Sequence, residues 1–136
     1  MAQPLLVDTD VFSYLIRPGD PRGDLYRPHL QGATVAICLI TIGELLFGAF
    51  RRSWGKPRIE VLREKFLGAV LLPFDLSVCE AYARLKADLE LKGHVIADND
   101  LWIAAFALRH SIPLVSNNRR HFQRVPGLTL ICEAPK

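Results

Sequence analysis

Carboxylates stand at three points of the chain where an apolar strand pattern gives way to a helix pattern. Asp8 follows the aliphatic run 5–7, Glu44 opens a helix after a second apolar run, and Asp98 and Asp100 begin a very apolar helix. The carboxyl ends of parallel strands form one edge of a sheet, and ligands bind there. Carboxylates gathered at that edge repel one another unless a cation compensates their charge. The pattern is therefore typical of a site for Mg²⁺ or Mn²⁺, which prefer oxygen donors and can orient a water toward a phosphodiester.

Each of these acids, taken alone, also fits a purely structural role. Asp8 fits the N-cap of the following helix, and Glu44 fits the return arm of a capping box that begins at Thr41. Asp98 or Asn99 is predicted to cap the next helix, which leaves Asp100 inside its first turn.

Other polar residues are predicted to be structural. Asp75 is expected to end a strand or cap a helix, and Ser77 fits a second capping box, with Glu80 as its return arm. Asn117 and Asn118 are typical of a turn. The four histidines share no metal-ligand spacing, so all are expected at the surface; they are residues 29, 94, 110 and 121.

Strand and helix patterns alternate along the whole chain. Continuous apolar runs predict strands at 5–7, 35–40, 70–74, 112–115 and 128–132. Helical spacing and stop signals predict helices at 9–17, 22–30, from 41, 59–69, 77–93 and from 98. The last of these is apolar on all sides and should be buried. Such alternation predicts an α/β fold in which a parallel sheet is sandwiched between helices.

The composition suits one domain, expected to span residues 1–136. Half of the residues are hydrophobic, which is enough for a single well-filled core. No run is long enough to span a membrane and no export signal is visible, so a cytoplasmic protein is expected. Cys38, Cys79 and Cys132 are odd in number and lie among apolar neighbours, which favours reduced thiols over disulfides or a zinc site.

Basic residues are unevenly distributed although the net charge is only +3. One cluster lies within 51–58 and a second within 119–124. Either cluster could contact phosphate, but short basic clusters are more often simply solvated surface.

Taken together, the acidic segments resemble the PIN-domain family, in particular the ribonuclease toxins of VapBC-type toxin–antitoxin pairs. The resemblance covers essentially the whole chain. The matching segments are 6–11 (LVDTDV), 41–45 (TIGEL), 100–105 (DLWIAA) and 114–118 (LVSNN), followed by His121-Phe122 and 125–128 (VPGL). It implies a three-layer α/β/α sandwich with five parallel strands in the order 3-2-1-4-5, and an acidic pocket that binds Mg²⁺ or Mn²⁺.

The resemblance also assigns site residues. It makes Asp8, Glu44 and Asp100 the metal-binding acids and adds Asn117 as a fourth catalytic position. The chain departs from the family pattern at two positions, because it has Asp10 where Asn is frequent and Asn117 where many members have an acid. With less negative charge at Asn117, a second ion is less favoured. Asp98 is a candidate outer group.

The resemblance further implies partners. These are an RNA substrate, a VapB-type antitoxin that lays a peptide across the acidic groove, and a second copy of the chain in a homodimer. The two basic clusters would then guide RNA phosphates or receive acidic antitoxin residues. The sequence does not separate these two uses.

Three other interpretations compete with the nuclease. A haloacid-dehalogenase-type phosphatase would use Asp8 and Asp10, but the chain lacks the later acidic pair that completes such a site. A phosphate-receiver domain would use Asp75 and leaves Glu44 and Asp100 unexplained. A PIN-like fold that binds RNA or protein without catalysis stays open because of Asn117.

Overall fold

A five-stranded sheet, in which every strand is parallel to its neighbours, forms the centre of the molecule. The computed structural model describes residues 2–135. The strand order is β3-β2-β1-β4-β5, which confirms the predicted fold. In chain order the strands are β1 Pro4–Val7, β2 Thr34–Ile37, β3 Val70–Leu71, β4 Leu114–Val115 and β5 Leu130–Ile131.

Helices connect the strands and cover both faces of the sheet. They are α1 Thr9–Ile16, α2 Pro21–Leu30, α3 Leu39–Arg51, α4 Lys56–Leu67, α5 Leu76–Leu91, α6 Asp98–His110 and α7 Arg119–Phe122. Over residues 2–135, none of these helices has the length and apolar character that crossing a membrane requires.

Alternating residues of β1 divide the core into two layers. Leu6 packs into the cluster that contains the buried side chains of α5 and α6. Leu5 and Val7 point the other way and pack with Val11, Phe12 and the side chains around α1 and α2. Because successive strand residues face opposite sides of a sheet, the two clusters lie on opposite faces, as a three-layer sandwich requires.

The apolar helix α6 is buried, as its composition predicts. Leu101, Ile103 and Phe106 are almost inaccessible, as are the three alanines between Ile103 and Leu108. Fully burying each large apolar side chain contributes about 1.5–3 kcal/mol relative to leaving it exposed. This burial fixes the position of Asp100, which lies in the first turn of the same helix.

The predicted capping box at the start of α3 is wrong. The helix begins at Leu39 with Cys38 as its N-cap, so Glu44 lies in the second turn and not the first. The predicted second strand, 35–40, is also too long, because its last two residues belong to the first turn of α3. An apolar run does not distinguish a buried strand from the first turn of a helix, and Ile40 packs against the α6 side of the core as a helical residue.

The structure confirms the expectation that Asp75 caps a helix, but the predicted capping box at Ser77 and the predicted cap of α6 are wrong. Asp75, and not Ser77, caps α5, and its Oδ1 accepts a hydrogen bond from the Val78 backbone N–H at 3.2 Å. Ala97, and not Asp98 or Asn99, is the N-cap of α6. Asp98 and Asp100 therefore both lie inside the first turn, where negative charge is favoured by the helix dipole.

Two further differences concern the second half of the chain. Strands β3, β4 and β5 have two residues each and are shorter than their apolar runs. The one-turn helix α7 was not predicted. Asn118 caps it by accepting a hydrogen bond from the His121 backbone N–H at 3.3 Å, and its last residue, Phe122, is buried.

Candidate active site

Asp8 lies at the carboxyl edge of the central strand. β1 pairs with β2 on one side and with β4 on the other. The Asp8 backbone N–H donates to the Val115 carbonyl at 3.0 Å, so the residues that follow β1 and β4 lie side by side. This register brings Ser116 next to Asp8.

The Asp8 carboxylate is almost fully buried, with 4% of the residue exposed. Its Oδ1 accepts a hydrogen bond from the Val11 backbone N–H at 2.9 Å, so Asp8 is the N-cap of α1. Its Oδ2 accepts a hydrogen bond from the Ser116 hydroxyl at 2.5 Å. Capping and a role in the site are therefore compatible in this residue.

Burial raises the pKa of Asp8 to about 7. The hydrogen bonds from Ser116 and Val11 oppose this shift, and the negative charges of Asp10 and Asp100 add to it. Loss of solvent is the dominant cause because it disfavours the charged form. The pKa of Asp8 is therefore raised mainly because the side chain is buried, and to a smaller extent because other carboxylates lie nearby.

Asp10 lies in the first turn of α1. Partial burial is the largest cause that raises the pKa of Asp10. The negative charges of Asp100 and Glu44 raise it further, and the positive charge of Arg22 lowers it. Asp10 is thus within electrostatic range of acids that lie far away along the chain. The sequence interpretation treated Asp10 as a departure from the family pattern, although its spacing from Asp8 already placed it on the same edge.

Glu44 is held by residues of two other helices. Its Oε1 accepts a hydrogen bond from the Thr9 hydroxyl at 2.6 Å, and its Oε2 accepts one from the Asn99 side-chain amide at 3.2 Å. The Thr9 Oγ1 also lies 3.1 Å from the Thr41 hydroxyl. The Glu44 carboxylate therefore points toward the start of α1 and the start of α6, which carry Asp10 and Asp100.

Asp100 is held by residues that follow β4. The His121 Nδ1 lies 2.7 Å from its Oδ2, and the Asn118 Nδ2 lies 3.3 Å from the same oxygen. The Asp100 side chain is 24% exposed and the His121 side chain 31%. The prediction that the four histidines lie at the surface did not include this contact of the partly exposed His121 with Asp100. The histidine's place in the matched segments was the available signal.

Asn117 uses its side-chain oxygen in a different contact. The buried Tyr26 hydroxyl donates to the Asn117 Oδ1 at 2.5 Å and accepts from the Glu133 backbone N–H at 3.0 Å. This contact ties the end of β4 to α2 and to the chain beyond β5. A role for Asn117 in the reaction stays a prediction.

Asp98 contacts residues of α5. It accepts hydrogen bonds from the Tyr82 hydroxyl at 2.9 Å and from the Lys86 ammonium at 3.1 Å. The Lys86 hydrogen bond is the main cause that lowers the pKa of Asp98. Asp98 and Asp100 thus have separate partners. Asp98 binds side chains of α5, whereas Asp100 contacts residues that follow β4.

The donor set fits a hard divalent cation that retains waters. Over residues 2–135, no group of three or more Asp, Glu, His or Cys side chains is arranged to hold an ion by itself. However, Mg²⁺ is usually held by one or two carboxylates and keeps several waters. Burial is the main cause that raises the pKa of Asp8 and of Asp10, and neighbouring carboxylates add to it. A bound cation would offset that negative charge.

Comparisons with known proteins agree with this geometry. The family model for the PIN domain matches residues 5–128. Ribonuclease VapC2 of Rickettsia felis is 32% identical over 130 residues, which cover 92% of this chain and 94% of the relative. Ribonuclease VapC2 of Haemophilus influenzae is 30% identical over 123 residues, which cover 90% and 92%.

Among solved structures, the chain is similar to VapBC2 from Rickettsia felis bound to a DNA fragment from its promoter. The TM-score is 0.83 at 27% identity, and the match covers 96% of this chain and 98% of that one. The fold, the acidic edge and the family match lead to the same assignment. The chain belongs to the PIN domain family, and VapC ribonucleases are among its relatives.

Proposed function

We propose that the chain is a metal-dependent endoribonuclease that acts as the toxin of a toxin–antitoxin pair. The observation that carries this proposal is the acidic edge at β1, where buried Asp8 lies within electrostatic range of Asp10 and Asp100. Glu44 lies within range of Asp10 and completes the set. The relatives named ribonuclease VapC support RNA as the substrate.

The proposed cofactor is Mg²⁺ or Mn²⁺, held by Asp8, Glu44 and Asp100. All of the donors are carboxylate oxygens, which hard cations prefer over softer metals. When bound, the ion would supply positive charge for the phosphodiester and favour ionisation of an attacking water. Asp10 is added to the proposed site because the charges of both Asp100 and Glu44 act on its carboxylate.

The residues of the chain act chiefly by holding charge in place. Ser116 and the Val11 N–H fix the two oxygens of Asp8, and Thr9 fixes Glu44. Groups held in this way need little reorganisation as negative charge develops on the phosphate.

A groove beside the site suits the antitoxin partner. It has a volume of about 380 Å³, begins at Ser13, one turn after Asp10, and runs between α1, α3 and α4. Its apolar wall includes Leu45 and Leu62. Four basic side chains also line it, namely Arg17, Arg52, Arg58 and Lys65. Apolar and basic groups together complement an acidic, amphipathic peptide.

The groove suggests a use for the first basic cluster that the sequence left open. We propose that part of it, Arg52 and Arg58, receives antitoxin side chains. In the second cluster, Arg119 donates to the carbonyl oxygens of Cys132 and Ala134, so this residue helps to fix the end of the chain. A homodimer and a cytoplasmic location complete the proposal.

The proposal is tested by incubating purified protein with RNA in Mn²⁺ and in chelator. We expect cleavage only with the metal. Asp100→Asn should lower the rate by about 100-fold or more, the order of magnitude for loss of one electrostatic catalytic group. Asp98→Asn is the matched control, because it removes a carboxylate two residues away that contacts Tyr82 and Lys86.

A second candidate function is binding without catalysis. It is favoured by the engagement of Asn117 with Tyr26 and by the lack, over the described residues, of a three-acid cluster ready to hold an ion. Under this alternative the protein would bind RNA with equal affinity in metal and in chelator and leave it intact. That result would replace the nuclease proposal.

A further inference from the structure

One short segment after β4 contacts both Asp8 and Asp100. The Ser116 hydroxyl donates to Asp8, and the Asn118 backbone N–H donates to the Ser116 oxygen at 2.9 Å. The side chains of Asn118 and His121 reach Asp100. The segment 116–121 therefore joins two acids that come from different elements of the fold.

We propose that His121, assisted by Asn118, is a positioning residue that holds Asp100 by one oxygen and directs the other toward the divalent cation. The inference rests on the proposed function. It goes beyond that function by assigning a role to residues outside the acidic set.

The hydrogen bonding to Asp100 is one-sided. Both donors reach the same oxygen, Oδ2. An ionised carboxylate only accepts hydrogen bonds, so the His121 Nδ1 must carry the proton in this contact. With the proton on Nδ1, that nitrogen does not accept a hydrogen bond from the Asn118 Nδ2, which lies 2.9 Å away. The two donors lie side by side and both face the Asp100 Oδ2. Two donors on one oxygen restrict rotation of the carboxylate and define the direction of Oδ1.

His121 is itself held in place. The Asn118 Oδ1 accepts from the His121 backbone N–H, and the next residue, Phe122, is 1% exposed and packs in the core. The imidazole therefore projects from an anchored turn and not from a free loop. Partners of this kind that orient a metal-binding carboxylate typically change metal affinity by about 10–100-fold when they are removed.

Two amide substitutions distinguish the role of the hydrogen-bond donor at Nδ1 from the role of the imidazole ring. Asparagine carries its amide nitrogen two bonds beyond Cβ, at the place of Nδ1, whereas glutamine carries it one bond further, near the place of Nε2. His121→Asn thus keeps a donor for Asp100, and His121→Gln moves the donor away. Both variants are polar and of similar size, so they should fold alike.

The experiment is a calorimetric titration of each folded protein with Mn²⁺ alone, without RNA. We expect His121→Gln to weaken Mn²⁺ binding about tenfold or more and His121→Asn to stay within about threefold of the parent. The control is His110→Asn, which changes a histidine at the opposite end of α6, where it contacts the Pro73 carbonyl oxygen. It should bind Mn²⁺ like the parent.

Three results would count against these conclusions. Parental Mn²⁺ affinity in His121→Gln would overturn the positioning role, and so would equal losses in the Asn and Gln variants, since the Nδ1 donor would then not matter. If the parent itself neither binds Mn²⁺ nor cleaves RNA, the proposed function fails as well. A parent that does both, with an unaffected His121→Gln variant, refutes the inference alone.

Discussion

Asp8 is buried and acidic, so the metal-free protein should lose stability as the pH rises. The pKa of Asp8 is about 7 in the folded protein, against an ordinary value of 3.8. Below pH 3.8 both the folded and unfolded states bind the proton, and between the two values only the folded state does. The unfolded state therefore binds fewer protons in this interval, and the free energy of unfolding falls with increasing pH.

The size of the effect follows from the two pKa values. The interval from 3.8 to about 7, at about 1.4 kcal/mol per pH unit, corresponds to about 4 kcal/mol. About 3 kcal/mol of this falls between pH 5 and pH 8, where unfolding is convenient to measure. This is a large part of the roughly 5–15 kcal/mol that stabilises a typical domain.

The assay compares the parent with Asp8→Asn by urea unfolding in chelator at pH 5 and at pH 8. The amide does not ionise. Raising the pH over this range should therefore lower the free energy of unfolding of the parent by about 3 kcal/mol more than that of the variant. Titrating groups that do not interact with Asp8 affect both proteins alike and cancel. Asp88→Asn, which removes a half-exposed carboxylate paired with Lys92, should follow the parent.

Parallel pH profiles for the parent and Asp8→Asn would refute the reasoning, because they would mean that Asp8 ionises in the folded protein as easily as in water. Adding Mn²⁺ at pH 8 provides an independent check. A ligand that binds only the folded state raises the free energy of unfolding, so Mn²⁺ should stabilise the parent and have little effect on Asp8→Asn.

Two further substitutions test contacts around the site. Thr9→Val removes the hydroxyl that donates to Glu44, so the initial rate of RNA cleavage should fall about tenfold. Thr9→Ser keeps a hydroxyl and should retain the parental rate. A parental rate in Thr9→Val would exclude this role. Tyr26→Phe deletes a buried hydroxyl that joins Asn117 to the Glu133 N–H; the urea-derived free energy of unfolding should fall by about 1–3 kcal/mol, and an unchanged value would show that this contact contributes nothing net.

Much of the fold could be predicted because it depends on local patterns. The aliphatic run before Asp8 became the central strand, and the all-apolar body of α6 became the buried helix. Parallel strands joined by helices place their carboxyl ends at one edge. The position of Asp8 at that edge therefore follows from its place in the sequence.

The limits of strands and helices were predicted less well. Ile40 ends an apolar run that β2 shares with the first turn of α3. Its conformation depends on which face of the sheet it can pack against, and an apolar run alone does not contain that information.

The hydrogen bonds that hold the acids depended on tertiary packing. Ser116 and Asp8 are 108 positions apart, Thr9 and Glu44 are 35 apart, and each pair is joined by a side-chain hydrogen bond. Propensity and periodicity describe neighbours along one element, whereas these contacts join different elements. Residue types thus predict which carboxylates form the candidate site. Only the packed chain determines which donors hold them and how much water they lose, and with it the raised pKa of Asp8.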